Sequence, residues 1–150
     1  MMRQSAAPDV VPMRPRASRL LALAVLVAVL LAGCGSSGLT NGTWQWTAST
    51  TTLPASQSVV PDPSLYTLTF KSDGTVAVKS DCNSASGAYT TSGSSMTITL
   101  GPTTLAICAS DSLDQAFRTS LALVGSYELK DSTLTLTLKA NAGTMTFKQA

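Results

Sequence analysis

The segment Tyr66-Thr67-Leu68-Thr69-Phe70, followed by Lys71-Ser72-Asp73-Gly74 and Thr75-Val76-Ala77-Val78, decides the fold class of this chain. Apolar and polar residues alternate on both sides of Ser72-Asp73-Gly74, which is the pattern of two antiparallel strands joined by a tight turn. Each strand has one apolar face and one polar face, as expected where one side of an antiparallel sheet is solvated. The segment therefore predicts a β-hairpin.

The same alternation recurs along the chain. Trp44 and Trp46 are two residues apart, which places both indoles on one face of a strand. A second hairpin is predicted where Ala88 to Thr91 and Met96 to Leu100 flank Ser92-Gly93-Ser94, with Gly101-Pro102 ending it. Further strands are predicted at the alternating apolar residues Tyr127 and Leu129, Leu134, Leu136 and Leu138, and Met145 and Phe147.

Ala48 to Ser64, between the tryptophans and the first hairpin, is rich in Ser, Thr and Pro. Pro54, Pro61 and Pro63 would interrupt a regular element. We therefore predict a long surface loop for this segment.

One helix is predicted near residue 112. Ser112-Leu113-Asp114-Gln115 matches a capping box, in which the serine hydroxyl accepts from the third backbone N–H and the glutamine side chain reaches back. Gly125 would end the helix. The apolar residues at spacings of three and four are Leu113, Ala116, Phe117, Leu121 and Val124. About seven or eight short strands and this helix predict a mostly-β (α+β) domain, an antiparallel curved sheet or small barrel with one α-helix packed across it.

The N-terminal segment has the pattern of an export signal. Arg14, Arg16 and Arg19 precede a 13-residue apolar run from Leu20 to Ala32. A membrane-spanning helix needs about 20 apolar residues, so the run is too short for one. Leu31-Ala32-Gly33-Cys34 resembles the processing site of bacterial lipoproteins, whose cysteine receives a diacylglyceryl group before cleavage. We expect residues 1–33 to be a lipoprotein signal peptide, with an ordinary signal peptide as the alternative.

Lipid attachment at Cys34 would place the protein on the extracytoplasmic side of a membrane in the bacterial cell envelope, because two acyl chains suffice for stable anchoring. Residues 34–41 are short, polar and Gly/Ser-bearing, which is typical of a flexible tether, so that folded structure would start near Trp44. Residues 42–150 are then expected to form one domain.

The charge distribution argues against a nucleic-acid partner. The first 33 residues contain four arginines and one aspartate, so the chain from residue 34 onward has six Lys or Arg against seven Asp or Glu. A nucleic-acid-binding protein needs a basic face. We expect a monomer that contacts the membrane through Cys34 and an unidentified envelope protein.

With Cys34 assigned to lipid, Cys82 and Cys108 remain as an even pair in an oxidising compartment. Closing their 27-residue loop would contribute roughly 3.5 kcal/mol to stability in the chain-entropy model. A metal site would need more Cys or His ligands, and the two thiols are not in a Cys-x-x-Cys spacing. We expect a disulfide between buried cysteines that clamps the start of the helix onto the sheet, with no metal or catalytic role.

The sequence contains no histidine, so the usual base for a serine or cysteine nucleophile is missing. The remaining enzymatic route pairs two carboxylates, as in glycosidases, chosen from Asp81, Asp111, Asp114 and Glu128. Asp111 and Asp114 also suit a helix N-terminus, where negative charge is favoured. We therefore expect no enzyme and no cofactor.

A family likeness runs from about residue 42 to residue 147. It is found in Asp81-Cys82-Asn83, Ser86-Gly87-Ala88-Tyr89, Thr103-Thr104-Leu105-Ala106-Ile107-Cys108, and the helix with Phe117 and Leu121. These elements resemble the META domain family of HslJ-like heat-shock proteins, although many relatives have a glycine where this chain has Asp81. The resemblance implies an envelope protein, sometimes tied to heat or antibiotic stress, without agreed catalytic residues.

Two functions follow from these observations. The first is a non-catalytic, lipid-anchored cell-envelope protein that acts in stress or antibiotic tolerance through protein contacts. The alternative is a binding module for a small hydrophobic molecule or glycan. An open pocket lined by Trp46, Tyr66 or Tyr127 would favour the alternative, whereas a core filled by side chains would disfavour it.

Overall fold

A computed structural model describes residues 38–150, in which nine strands and one α-helix form. Two short 3-10 helices lie at Pro63–Leu65 and Lys139–Asn141. The strands and the helix are β1 (Trp44–Thr52), β2 (Ala55–Val59), β3 (Tyr66–Phe70), β4 (Thr75–Ser80), β5 (Asn83–Ser92), β6 (Ser95–Thr103), α1 (Asp114–Ala122), β7 (Val124–Lys130), β8 (Thr133–Leu138) and β9 (Gly143–Gln149).

Eight of the strands close into an antiparallel barrel in the order β1-β3-β4-β5-β6-β7-β8-β9, because β9 pairs back with β1. One edge of β1 is shared between two strands: Trp44 and Gln45 pair with β3, and Ala48 to Thr52 pair with β2. β2 is thus an extra strand outside the closed ring. The predicted mostly-β barrel with one helix is confirmed.

The β3–β4 hairpin forms as the sequence predicts. Tyr66 pairs with Ser80 and Phe70 with Val76, and every second side chain is buried in both strands. In the turn, an Asp73 carboxylate oxygen accepts the backbone N–H of Thr75 at 2.9 Å. This bond fixes the turn between the two apolar stripes.

The helix packs its apolar face into the barrel, which is filled by aromatic and aliphatic side chains. Phe117 is fully buried, and its ring stacks on that of Trp46 with the centroids 5.1 Å apart. The same ring also contacts Tyr66 and Phe147, at 5.6 and 6.2 Å between centroids. Trp44 and Trp46 are both buried and therefore take part in the packing of the core.

The strand directions define two ends of the barrel. The N-terminal end carries the start of β1 together with the turns β3–β4, β5–β6 and β7–β8. The opposite end, which we call the disulfide end, carries the β4–β5 turn, the segment 104–113 before α1, and the tip of the β1–β2 hairpin. The two ends therefore present different loops.

The prediction of a long loop from Ala48 to Ser64 was wrong. β1 continues to Thr52, and β2 pairs with it in register from Ala48↔Val59 to Thr52↔Ala55. All five side chains of β2 are exposed. An apolar alternation cannot mark a strand that buries neither face, and Pro54 lies in the turn where it removes no ladder hydrogen bond.

Gly101-Pro102 does not end the second hairpin, because β6 continues to Thr103. Ala85 pairs with Thr103 and Gly87 with Leu100, so that Gly101 and Pro102 together oppose Ser86 and form a bulge in β6. At a bulge a proline does not remove a hydrogen bond that the ladder needs.

The helix is shorter than predicted at both ends. It begins at Asp114, whose backbone N–H donates to the Ser112 hydroxyl at 3.1 Å, so the serine caps an earlier N–H than the capping box requires. It ends at Ala122, before Gly125, and Val124 is the buried first residue of β7. Ala116 is exposed. The spacing of apolar residues predicted the helix but could not separate its last turn from the next strand.

The folded domain begins before residue 42. Leu39 is fully buried, and its carbonyl oxygen accepts the indole N–H of Trp44 at 2.8 Å. The end of the predicted tether, from Gly38 to Asn41, therefore belongs to the turn that leads into β1. The predicted signal peptide, residues 1–33, and Cys34 lie outside the described residues. In residues 38–150 we find no helix with the length and apolar character needed to cross a membrane.

Candidate functional site

Cys82 and Cys108 form a disulfide bond at the disulfide end, with their Cα atoms 5.5 Å apart. The bond ties the β4–β5 turn to the segment that leads into α1, in agreement with the predicted pairing. The expectation that both cysteines are buried was wrong, because Cys82 is exposed and Cys108 is half-buried. The disulfide thus restrains a surface segment and adds little to the core.

The side chain of Asn83 fixes the backbone of the same segment through hydrogen bonds. Its side chain is 5% exposed, and its amide oxygen accepts both the backbone N–H of Ala106 at 2.8 Å and the Thr104 hydroxyl at 3.0 Å. Its amide nitrogen donates to the Ala106 carbonyl at 3.2 Å. Asn83 therefore satisfies the backbone of a neighbouring loop.

Two large apolar side chains on this segment are in solvent. Leu105 is 88% exposed and Ile107 is 100% exposed. Their exposure could not be predicted from the sequence, because apolar residues two positions apart are also the pattern of a strand that buries one face. The structure holds the backbone between Asn83 and the disulfide and leaves this apolar face uncovered.

An acidic cleft lies at the disulfide end, where its lining includes Asp81 and Ala109, the chain neighbours of Cys82 and Cys108. Its volume is about 210 Å³. Three acidic residues, Asp62, Asp81 and Asp111, line it together with apolar residues. The remaining lining residues are Pro61, Leu65, Tyr66, Ala109, Ser112 and Leu113.

Asp62 is charged at neutral pH. Hydrogen bonds from the Ser64 hydroxyl and backbone N–H, at 2.6 and 3.0 Å, lower the pKa of its carboxyl below the usual value. The Lys79 ammonium donates to the Ser64 carbonyl at 3.1 Å and is the cation that acts on Asp62. One lysine beside three carboxylates leaves the cleft with net negative charge.

The structure brings together two of the four carboxylates considered for catalysis. Asp81 and Asp111 line the acidic cleft. Asp114 is bound to Arg118 through two hydrogen bonds at 3.0 and 2.7 Å, which lower the pKa of its carboxyl. Glu128 lies in β7, where it lines a separate pocket near the N-terminal end.

The aromatic residues named for a ligand pocket are used in packing. Trp46 and Tyr66 are each 4% exposed, and the Tyr66 hydroxyl accepts the backbone N–H of Leu113 at 2.8 Å. Tyr127 is half-buried against the core. A barrel filled in this way argues against a small molecule bound in its interior.

In the part of the chain that the structure describes, we find no group of three or more Cys, Asp or Glu arranged to hold a metal ion. The carboxylates of the acidic cleft therefore do not form a metal centre by geometry.

The sequence model of the META domain family matches residues 37–150. The chain belongs to the META domain family. The match covers the whole barrel, including the disulfide and the segment with the exposed Leu105 and Ile107. The resemblance noted in the sequence is thereby confirmed.

Solved structures with the same fold support the architecture of this META domain. A protein from Burkholderia xenovorans, determined by NMR, has a TM-score of 0.59 and 20% identity over 98% of this chain and 99% of its own. A DUF4847 family protein from Bacteroides vulgatus has a TM-score of 0.58 and 15% identity over 77% of this chain and 96% of its own. At these identities the likeness concerns the fold alone. A comparison with curated proteins gives no match.

Proposed function

We propose that this META domain protein is a lipid-anchored, non-catalytic component of the bacterial cell envelope that acts through protein contacts at the disulfide end. The observation that carries the proposal is the exposure of Leu105 and Ile107 on a segment restrained by a disulfide and by Asn83. Exposed apolar side chains contribute nothing to the stability of the domain. A restrained apolar surface loses less entropy on binding than a mobile one, which suits a contact site.

The position of Cys34 agrees with anchoring of the domain close to a bilayer. Five residue steps separate Cys34 from the buried Leu39, and a fully extended chain of that length spans about 17 Å. The chain enters at the N-terminal end of the barrel. An anchor at Cys34 would therefore turn that end towards the membrane and the disulfide end away from it.

The chemistry of the described residues supports a non-catalytic role. The chain has no histidine. The Asp114 carboxylate is paired with Arg118, and Glu128 lies near the N-terminal end of the barrel. Stress or antibiotic tolerance is the physiological role that we propose for such contacts, on the basis of the family.

Fractionation of cells that express the Cys34→Ser variant tests the anchor. We expect the wild-type protein in the membrane fraction with incorporated palmitate, and the variant either soluble or as an unprocessed precursor. The double variant Cys82→Ala/Cys108→Ala is the matched control and should keep its palmitate. Palmitate labelling that persists in Cys34→Ser would contradict the proposal.

A further inference from the structure

We infer that the disulfide end is a docking surface for a segment of another envelope protein that carries both basic and apolar side chains. The inference rests on the proposed function and deepens it, because it states what chemistry the partner of that surface has. It is derived from the juxtaposition of the exposed pair Leu105 and Ile107 with the acidic cleft.

The apolar pair and the acidic cleft are next to each other along the chain at the disulfide end. Asp81, which lines the cleft, precedes Cys82, and Ala109, which also lines it, follows Cys108. The disulfide thus joins the wall of the cleft to the segment that carries the apolar pair. A single extended or helical peptide of a few residues can contact both.

Charge complementarity selects the partner. Asp62, Asp81 and Asp111 line the cleft, whereas Lys79 is the cation next to Asp62. The nearby Arg118 is paired with Asp114 and contributes no net charge. An acidic cleft beside an apolar patch matches a segment with lysine or arginine next to leucine-like side chains, because such a segment satisfies both parts at once.

The same features argue against two other occupants. A bilayer that holds the chain at Cys34 would face the N-terminal end, since the chain enters there, and anionic lipids would repel the carboxylates of the cleft. A second copy of this chain would place two acidic clefts against each other, which is unfavourable. The surface is therefore built for a different protein.

Site-specific photo-crosslinking of the full-length protein in intact cells tests the inference. A photoreactive amino acid replaces Ile107 at the disulfide end or, in separate strains, the exposed Ser72 or Ser132 at the N-terminal end. We expect a protein adduct from position 107, and mass spectrometry of the crosslinked peptide should place the contact in a segment that contains basic and apolar residues.

Charge variants provide the decisive comparison. The variant Asp62→Asn/Asp81→Asn/Asp111→Asn should reduce the yield of the adduct about tenfold, equivalent to about 1.4 kcal/mol for three exposed charge pairs. Asparagine adopts the positive φ of 56° at position 81 readily, so the turn is preserved. The control Asp73→Asn/Asp131→Asn/Glu128→Gln changes the net charge equally at or near the N-terminal end and should leave the yield unchanged.

Every other result contradicts the inference. Adducts from position 107 to lipid or to a second copy, a partner segment without basic residues, or a yield that does not depend on the cleft carboxylates would each overturn it. Adducts to protein that arise only from positions 72 and 132 would also contradict the proposed contacts at the disulfide end, whereas a protein adduct from position 107 to a segment without basic residues would leave those contacts in place. Absence of protein adducts from all three positions would contradict the proposed function as well.

Discussion

Asn83 and Ala106 are joined through both polar groups of each partner: the Asn83 amide oxygen accepts the Ala106 N–H at 2.8 Å, and the Asn83 amide nitrogen donates to the Ala106 carbonyl at 3.2 Å. The side chain thus does what a neighbouring strand would do for the backbone. This contact explains how a segment whose own apolar side chains are exposed keeps one conformation. The disulfide at Cys108 restrains it two residues further on.

Replacement of this side chain should loosen the segment. Asn83→Ala removes three hydrogen bonds that the buried side chain makes to Ala106 and Thr104, so we expect a loss of about 1–3 kcal/mol in the free energy of unfolding, measured in urea. Protease cleavage near Leu105 and Ile107 should become faster at the same time. Ser84→Ala, at the exposed neighbour, is the control and should change neither quantity measurably. If the two variants behaved equally, the hydrogen bonds of the Asn83 side chain would not be needed to hold the segment.

Removal of the disulfide should destabilise the domain without changing its fold. The chain-entropy model gives roughly 3.5 kcal/mol for the 27-residue loop between Cys82 and Cys108. We expect reduction to lower the melting temperature of the wild-type protein and to have no effect on the double variant Cys82→Ala/Cys108→Ala. A non-reduced peptide map should contain one peptide pair with both cysteines. Two free thiols in protein taken from the envelope would contradict the pairing.

The stability of the docked helix should depend far more on the buried ring of Phe117 than on the Ser112 cap. Phe117 is fully buried against Trp46 and Tyr66, so Phe117→Ala should cost about 3–5 kcal/mol in unfolding free energy. Ser112→Ala removes only the hydrogen bond to the N–H of Asp114 and should cost about 0.5–2 kcal/mol. If thermal melting showed equal, negligible effects, α1 would not be docked as described.

The ion pair between Asp114 and Arg118 predicts a dependence of stability on acidity. The Arg118 guanidinium lowers the pKa of the Asp114 carboxyl in the folded state, so the contribution of the pair is present above the unfolded pKa of about 3.9 and is lost as the pH falls through the folded value. Asp114→Asn should therefore destabilise by about 1 kcal/mol or less at pH 7 and by less still at lower pH.

A double-mutant cycle isolates this pair. The difference in unfolding free energy between Arg118→Gln and the wild type should likewise become smaller below about pH 4. The double variant should be little less stable than either single variant. Additive effects in urea unfolding at pH 7 would show that the two residues are not coupled.

Closure of the barrel should depend on Gly143. A Cβ atom at this position would lie 1.9 Å from the carbonyl oxygen of Thr50 on β1, and φ is +143°. Gly143→Ala should therefore destabilise by more than about 2 kcal/mol, because the obstacle is the backbone of a paired strand. Gly93→Ala has a positive φ but no atom within 4 Å and should cost only about 1–2 kcal/mol. Similar melting temperatures for the two variants would contradict this account.

Much of the barrel could be predicted from sequence because most strands bury one face. Leu134, Leu136 and Leu138 alternate with threonines, and burial of the leucines makes the period visible. β2 was missed for the opposite reason, since a strand with every side chain exposed has no such period. The local spacing of apolar residues therefore predicts a strand only where one face of that strand is buried in the core.

The candidate site could be predicted only in part. The pairing of Cys82 with Cys108 followed from the number of cysteines, but the partner of Asn83 lies 23 residues away in sequence and no local pattern indicates it. The acidic cleft combines Asp62 with Asp111, which are brought together by the fold alone. The exposure of Ile107 likewise depends on which face of its segment the barrel leaves open.

The chain enters the barrel through Leu39, whose side chain is locked in the core, and β1 then runs between β9 on one edge and β3 and β2 on the other. Tension applied through the residues before Gly38 is first met by the buried Leu39 side chain and its hydrogen bond to the Trp44 indole, ahead of the ladders of β1. Beyond that point, β1 can leave the barrel only if its hydrogen bonds on both edges break. A pull on the N-terminus is therefore carried by the core and by both neighbours of β1, which keeps the first strand in place.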